Sequence, residues 1–205
     1  MTAGTDCGAR PERAWEGAQP ERSRTDPLTL ASRSPQRRAI LEQLGIPFVA
    51  VAPRVEESRG GALRTLVCEN ALRKARAVDA ARVLGVDTAV TSEGRVFGKP
   101  RDQAEARGFL AALSGHTHEV WSGIALVEGA TERVEAAVTS VTFRRLTGAD
   151  RDRYLATEEW RERAGGYAIQ GRGAALVERI EGDYLNVVGL PVAELVRMAP
   201  DLFGG

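Results

Sequence analysis

Five short segments of the chain carry residues suited to a charged ligand. In LASRSPQRR, small hydroxyl residues stand between an apolar run and the start of a helix. Free backbone N–H groups and the positive end of the helix dipole make such a junction an anion site. Ser32 and Ser34 can donate to phosphate oxygens, and Arg37 or Arg38 could add a bidentate guanidinium. An ordinary capped helix with surface arginines would use the same residues. In APRVEES, Glu56 and Glu57 follow an apolar run in a loop, where carboxylates either hold a hard cation such as magnesium or stand solvated. In LGVDTAV, Asp87 interrupts an apolar run. A buried carboxylate there needs hydrogen bonds, a metal, or a place at the strand's end. Lys99 precedes a proline that stiffens its turn, and Lys74 sits inside a helical stretch; each is either a point charge for phosphate or a surface residue. In AGGYAIQGRGA, glycines allow backbone to approach a ligand closely, and Gln170 offers both a donor and an acceptor to a base edge. His116 and His118 lie two apart with no further ligand pattern, which argues against a metal pair.

An anion-binding junction, spare carboxylates, two lysines and a glycine-rich turn are the parts a metal–triphosphate enzyme needs. No GxxxxGK[ST] occurs, so the chain is not of the P-loop type.

The elements that position these groups can be read from periodicity. A strand is expected at 28–32, then a helix with Ser34 as N-cap, Pro35 in its first turn and Gly45 at its stop. Ile40, Leu41 and Leu44 form its expected buried stripe. A strand is expected at 47–53, then a helix from about Leu63 to Val83 with Leu66, Val67, Leu72, Ala75 and Val78 on its apolar face. The strand VLGVDTAV leads through SEGRVFGKP, a turn and return, to a helix from Gln103 to Leu113. EVWSGIALVEG and RVEAAVTSVTFRRL read as a long hairpin. A capped helix follows in LTGADRDRYLAT, then short strands at Tyr167–Gln170 and Ala174–Ile180, and a closing helix in LPVAELVRMAP. The class is α/β with at least one long antiparallel hairpin.

Composition narrows the function. Lys plus Arg and Asp plus Glu both number 28, so there is no basic excess to neutralise a duplex, and nucleic acid is not an expected partner. The cysteines, Cys7 and Cys68, lack metal-type spacing and fit a reducing cytoplasm. No apolar stretch approaches the ~20 residues of a membrane span, and the first residues lack a signal-peptide core. Residues 1–27 are polar and rich in Gly, Pro and Arg and are expected to be a disordered extension; residues 28–205 form the expected domain.

LASRSPQRR, RVEES, ALRKARAV, LGVDTAV, FGKPRDQAEA, LSGHTHEV, AGGYAIQGRGA and GDYLNVVGLP resemble, in order and spacing, the Maf family of nucleotide pyrophosphatases. The resemblance runs from about Leu28 to Leu202. It implies an elongated mixed sheet flanked by helices, similar to that of inosine triphosphate pyrophosphatases, with a cleft between two lobes. It also implies hydrolysis of nucleoside triphosphates to monophosphate and pyrophosphate, aided by magnesium or manganese, commonly in a homodimer. By the same resemblance the general base falls on Asp87, phosphate handling on Ser32, Arg37, Lys74 and Lys99, and the acidic metal residue on Glu57, with Asp87 as a second candidate ligand. Three positions separate branches: SPRR, DT and IQG for dTTP and UTP, against SPWR, DQ and SEG for 7-methyl-GTP. This chain has Gln36, Thr88 and Gln170, so two match the pyrimidine branch and Gln36 matches neither. A modified-purine pyrophosphatase and a non-catalytic regulator of septum formation are the rival readings.

Overall fold

The computed structural model describes residues 27–58 and 60–204, so the expected extension at 1–27 lies, but for Pro27, outside the described residues. Strand β1 (Leu28–Ala31) leads through Ser34 into helix α1 (Pro35–Gln43). The Ser34 hydroxyl accepts from the Arg37 amide, and Pro35 fills the first turn, as the sequence predicts. Leu44 departs from expectation. It is 37% exposed because it caps the helix rather than belonging to it; the chain reverses at Gly45 (φ 67°), and Ile46 takes the buried place.

Strand β2 (Phe48–Val51) precedes helix α2 (Leu63–Arg76), which ends seven residues before the expected Val83. Residues from Arg82 are claimed instead by strand β3 (Arg82–Ser92), whose register with strand β5 (Thr117–Glu128) begins at Arg82↔Glu128. Strand pairing overrides local helical propensity there. A two-residue turn, Glu93–Gly94, with positive φ at both positions, returns the chain as β4 (Arg95–Phe97). Helix α3 (Gln103–Leu113) has the expected bounds, with Asp102 accepting from the Glu105 amide. The hairpin of β5 and β6 (Thr131–Phe143) closes at Gly129–Ala130, as expected. Helix α4 (Gly148–Leu155) carries a capping box of Thr147 and Asp150.

The segment 167–170 is not a strand, and residues 174–176 lie in a 3-10 turn (Gly171–Leu176) before β7 (Val177–Glu181). Gly165, Gly166 and Gly171 all take positive φ, which breaks the extended run that the side-chain types suggest. Helices α5 (Tyr184–Val188), which sequence periodicity did not signal, and α6 (Val192–Met198) complete the chain.

The sheet runs β2-β1-β3-β5-β6-β7, with β4 on the far stretch of β3. β1 is parallel to both neighbours; the remaining pairs are antiparallel. This is the expected mixed sheet flanked by helices. Its long strands feed separate cores. Leu84, Val86, Ile124 and Leu126 pack with Ile40 and Leu41 of α1, whereas Val90, Val120 and Phe143 pack with Phe109 and Leu110 of α3. Asp87 and Thr88 lie on β3 between these two centres.

His118 sits inside the second core. Its Nε2 is 2.8 Å from the Tyr167 hydroxyl, and its ring meets Phe143 edge to face. Burial lowers its pKa from 6.5 to about 4. Between those values the unfolded chain binds a proton that the folded chain refuses, so stability falls as pH drops through this window. The expected loss is about 2 kcal/mol from pH 7 to pH 5. Urea unfolding at both pH values checks it: His118→Gln should be less stable at pH 7 but lose less on acidification, and an equal loss in both proteins would refute the assignment.

Candidate active site

The connections place the site. α1 joins β1 to β2 on one face of the sheet, and α2 carries the chain back past β1 to β3 on the other. The order therefore reverses at β1, and the carboxyl ends of strands at such a switch point are where open α/β sheets bind ligands. The last pair between β1 and β3 is Ala31↔Gly85. From Val86 to Ala89 β3 has no partner on that side, until β4 joins it at Val90, so Asp87 and Thr88 stand two and three residues past the end of β1.

Alternation along β3 then sends Asp87 and Thr88 to opposite faces. On the face of Asp87, α2 lies very close. A methyl group at Gly85 would sit 2.1 Å from the Ala71 carbonyl oxygen, and one at Gly123 would sit 2.2 Å from that of Val67. Gly123 is the cross-strand partner of Asp87. This approach brings Lys74 and Asn70, one helical turn apart, onto the carboxylate. Lys74 Nζ donates to Asp87 Oδ1 at 2.6 Å and to the Val86 carbonyl at 3.4 Å, and Asn70 Nδ2 donates to Asp87 Oδ2 at 3.1 Å. Asn70 also exchanges hydrogen bonds with the backbone of Ser58, which ties down the loop holding Glu57. Glu57 Oε1 reaches Lys74 Nζ at 2.7 Å. Burial pushes the Glu57 carboxyl upward, but its hydrogen bond to Lys74 and the charges of Lys74, Lys99 and Arg37 outweigh this and hold it below its usual range.

On the face of Thr88, Arg37 is buried and almost fully engaged. Its Nε donates to the Gly189 carbonyl at 2.8 Å, and Nη1 donates to the Val86 carbonyl at 2.9 Å and to Ser32 Oγ at 3.1 Å. Nη2 donates to Thr88 Oγ1 at 3.0 Å, and Thr88 in turn meets Ser122 Oγ. Burial lowers the Arg37 pKa, against the charges of Asp87 and Glu57. Ser32 Oγ accepts from Arg37 and from the Ser34 amide, so its own proton can serve a ligand. The Ser34 hydroxyl donates to Gln36 Oε1 at 3.1 Å, which folds Gln36 back over the helix start.

The structure thus gathers Ser32, Ser34, Gln36, Arg37 and Thr88 on one side of β3 and Glu57, Lys74 and Asp87 on the other. Lys99 stays exposed and pairs with Glu162 at 2.9 Å, while its charge still acts on Glu57. Gln170 is exposed at the N-cap of the 3-10 turn. Its side chain makes no hydrogen bond to those groups, although its segment is tied near Lys99 through the Gly165 amide, which donates to the Gly98 carbonyl. Of the two histidines, His118 is a core residue and His116 is exposed. Sequence reading missed Asn70, Gly85, Gly123 and Ser122 as parts of the site. Asn70 had a signal: it lies at i, i+3 and i+4 from the buried Leu66 and Val67 and from Lys74, a polar residue on an apolar stripe.

Arg37 links the residue after β1, β3 and the end of α5 through the Ser32 hydroxyl and the Val86 and Gly189 carbonyls, which no lysine could reach together. Arg37→Lys is expected to cost about 2–4 kcal/mol of stability, and Arg37→Ala at least as much. Equilibrium urea unfolding measures both, and a fully stable Arg37→Lys protein would show that these hydrogen bonds do not support the fold.

Several known proteins are similar to this chain. Residues 27–202 match the family described as Maf-like protein. A dTTP/UTP pyrophosphatase of Moorella thermoacetica is 51% identical over 179 residues, covering 83% of this chain and 92% of the relative. One from Symbiobacterium thermophilum is 48% identical over 177 residues, covering 83% and 91%. Among solved structures, the Staphylococcus aureus Ham1 protein is similar over 57% of this chain and 71% of its own, with a TM-score of 0.43 and 14% identity. With a family match across nearly the whole described chain and relatives this similar, the chain belongs to the Maf family.

Proposed function

We propose that the chain hydrolyses nucleoside triphosphates, dTTP and UTP foremost, to the monophosphate and pyrophosphate. The observation that carries this reading is the Lys74 ammonium bridging Asp87 and Glu57 beside the start of α1. The relatives' activities point the same way.

In this reading Asp87 takes the proton of the attacking water. Lys74 and Asn70 each hold one carboxylate oxygen, which fixes its direction and leaves a lone pair on each for that proton. The water oxygen bonds to the α-phosphorus, and the bond from that phosphorus to the bridging oxygen breaks, releasing pyrophosphate. Ser32, Ser34 and the free Gln36 amide at the start of α1 receive phosphate oxygens, and Arg37 sets the positive potential behind them. Lys74 already spends its three N–H directions on Asp87, Glu57 and Val86. A phosphate oxygen reaches it by displacing Glu57, the half-exposed member of the set. Lys99 would leave Glu162 for the phosphates.

A divalent cation fits the donor set. Among the described residues no group of three or more His, Cys, Asp or Glu could cage a metal. Glu57 and Asp87 both turn toward the Lys74 ammonium, and one or two carboxylates completed by phosphate oxygens and water are how magnesium is usually held. Glu57 and Asp87 would hold it, and when bound it would neutralise charge on the phosphates. Thr88 and Gln170 support the pyrimidine preference. The composition supports a cytoplasmic setting, and family membership supports a homodimer. No helix among the described residues is long and apolar enough to cross a membrane.

A triphosphate panel with product analysis, run with and without magnesium, tests this reading. UTP and dTTP should lead, yield pyrophosphate rather than orthophosphate, and require the cation. A lead for 7-methyl-GTP would overturn the base preference, and no turnover of any triphosphate would overturn the reaction. Asp87→Asn should fold and lose activity by about 10²-fold or more; near-normal turnover would remove Asp87 from the base role.

A further inference from the structure

Glu159 lies outside the groups gathered around β3, yet its carboxylate is heavily hydrogen-bonded. It follows α4 in a tight turn, where its amide donates to Thr157 Oγ1 at 3.2 Å and the next residue, Trp160, is buried and donates to the Leu155 carbonyl. Glu158 takes positive φ (62°) just before it, so the backbone of the turn is shaped against local preference. From there the Glu159 carboxylate accepts the Arg172 amide on both oxygens, at 3.2 and 3.1 Å, and the Gly173 amide at 3.2 Å. These are the free N–H groups of the 3-10 turn whose N-cap is Gln170. A charged carboxylate on consecutive amides is a strong, direction-setting contact.

The other end of the same loop is pinned as well. The Ala168 amide donates to the Tyr154 hydroxyl at 2.9 Å, and a methyl group at Gly173 would lie 1.7 Å from the Ala168 carbonyl oxygen. Residues 168 and 173 are therefore drawn against each other, with Gln170 exposed between them. Gly171 (φ 63°) packs so closely on Glu159 that a methyl group there would be 2.8 Å from Oε1.

We propose that Glu159 is a specificity-positioning residue: by holding the Arg172 and Gly173 amides it sets the place from which Gln170 meets the nucleobase. This rests on the reading of Gln170 as the base reader. Glu159 makes no hydrogen bond to Ser32, Arg37, Lys74 or Asp87, so its effect belongs on base discrimination and KM rather than on the chemical step.

The test compares kcat and KM for UTP and GTP in the full chain, Glu159→Gln, Gly171→Ala and Gln170→Ala. Gly171→Ala reaches the same contact by a second route should Glu159→Gln fold poorly, and thermal unfolding is followed for each. The expected result is a fall of about tenfold in the UTP to GTP ratio of kcat/KM in all three, about the effect of one well-placed hydrogen bond. In Glu159→Gln and Gly171→Ala it should arise from a higher KM for UTP, with kcat within about twofold of the parent. Combining Glu159→Gln with Gln170→Ala should lower the ratio no further than Gln170→Ala alone. If Gln170→Ala lowers the ratio while the other two leave it intact, the positioning role of Glu159 is overturned and base reading by Gln170 stands. If Gln170→Ala leaves the ratio intact, base reading by Gln170 fails, and the proposal fails with it. An equal loss of kcat on both substrates in Glu159→Gln and Gly171→Ala would mark a merely structural role and also overturn it.

Discussion

Helix α2 can approach the sheet only because Gly85 and Gly123 carry no side chain where its backbone passes. An ordinary helix stands about 10 Å from a sheet, separated by two layers of side chains. Here the carbonyls of Val67 and Ala71 come almost onto the strands. The shortened distance lets Asn70, whose side chain is too short to cross a normal gap, join Lys74 in gripping both oxygens of Asp87. Any methyl group at either glycine would lift the helix, and the ammonium, amide and carboxylate would separate together.

The opposite face answers with Arg37. Asp87 and Thr88 are neighbours on β3 but point to different layers, so the guanidinium reaches Thr88 and the Val86 carbonyl from α1 while Lys74 reaches Asp87 and the same carbonyl from α2. The Val86 carbonyl, left unpaired where β1 ends, is the atom at which the two cations meet. Two positive and two negative side chains, Arg37 and Lys74 with Asp87 and Glu57, balance in a mostly buried space. That balance keeps the cost of burial tolerable, because an unpaired charge there would be expensive. It also means that an arriving polyanion disturbs the set and must bring or recruit positive charge. Lys99, held in reserve at the surface by Glu162, and a cation on the two carboxylates are the two sources within reach.

Much of this was legible in the residues. The cap at Ser34, the bounds of α3, the long hairpin and the need for partners around Asp87 all follow from local rules of spacing and type. The misses have physical causes. Leu44 reads as part of a stripe, yet the turn at Gly45 puts it beyond the helix. The helix expected to reach Val83 stops at Arg76 because β5 recruits Arg82 onward. The segment at 167–170 looks extended until three glycines with positive φ bend it into a loop pinned by Tyr154 and Glu159.

The sequence by itself determined which chemical groups were available and in what order: hydroxyls at a helix start, carboxylates at Glu57 and Asp87, lysines at Lys74 and Lys99, and a glycine-bounded Gln170. Only the tertiary structure decided which of them share a space. Lys74 and Asp87 are 13 residues apart, Arg37 and Thr88 are 51 apart, and their meeting depends on the reversal of strand order at β1 and on the absence of two methyl groups under α2. Local propensity carries no information about such contacts, because they arise from packing between elements that are distant in the chain.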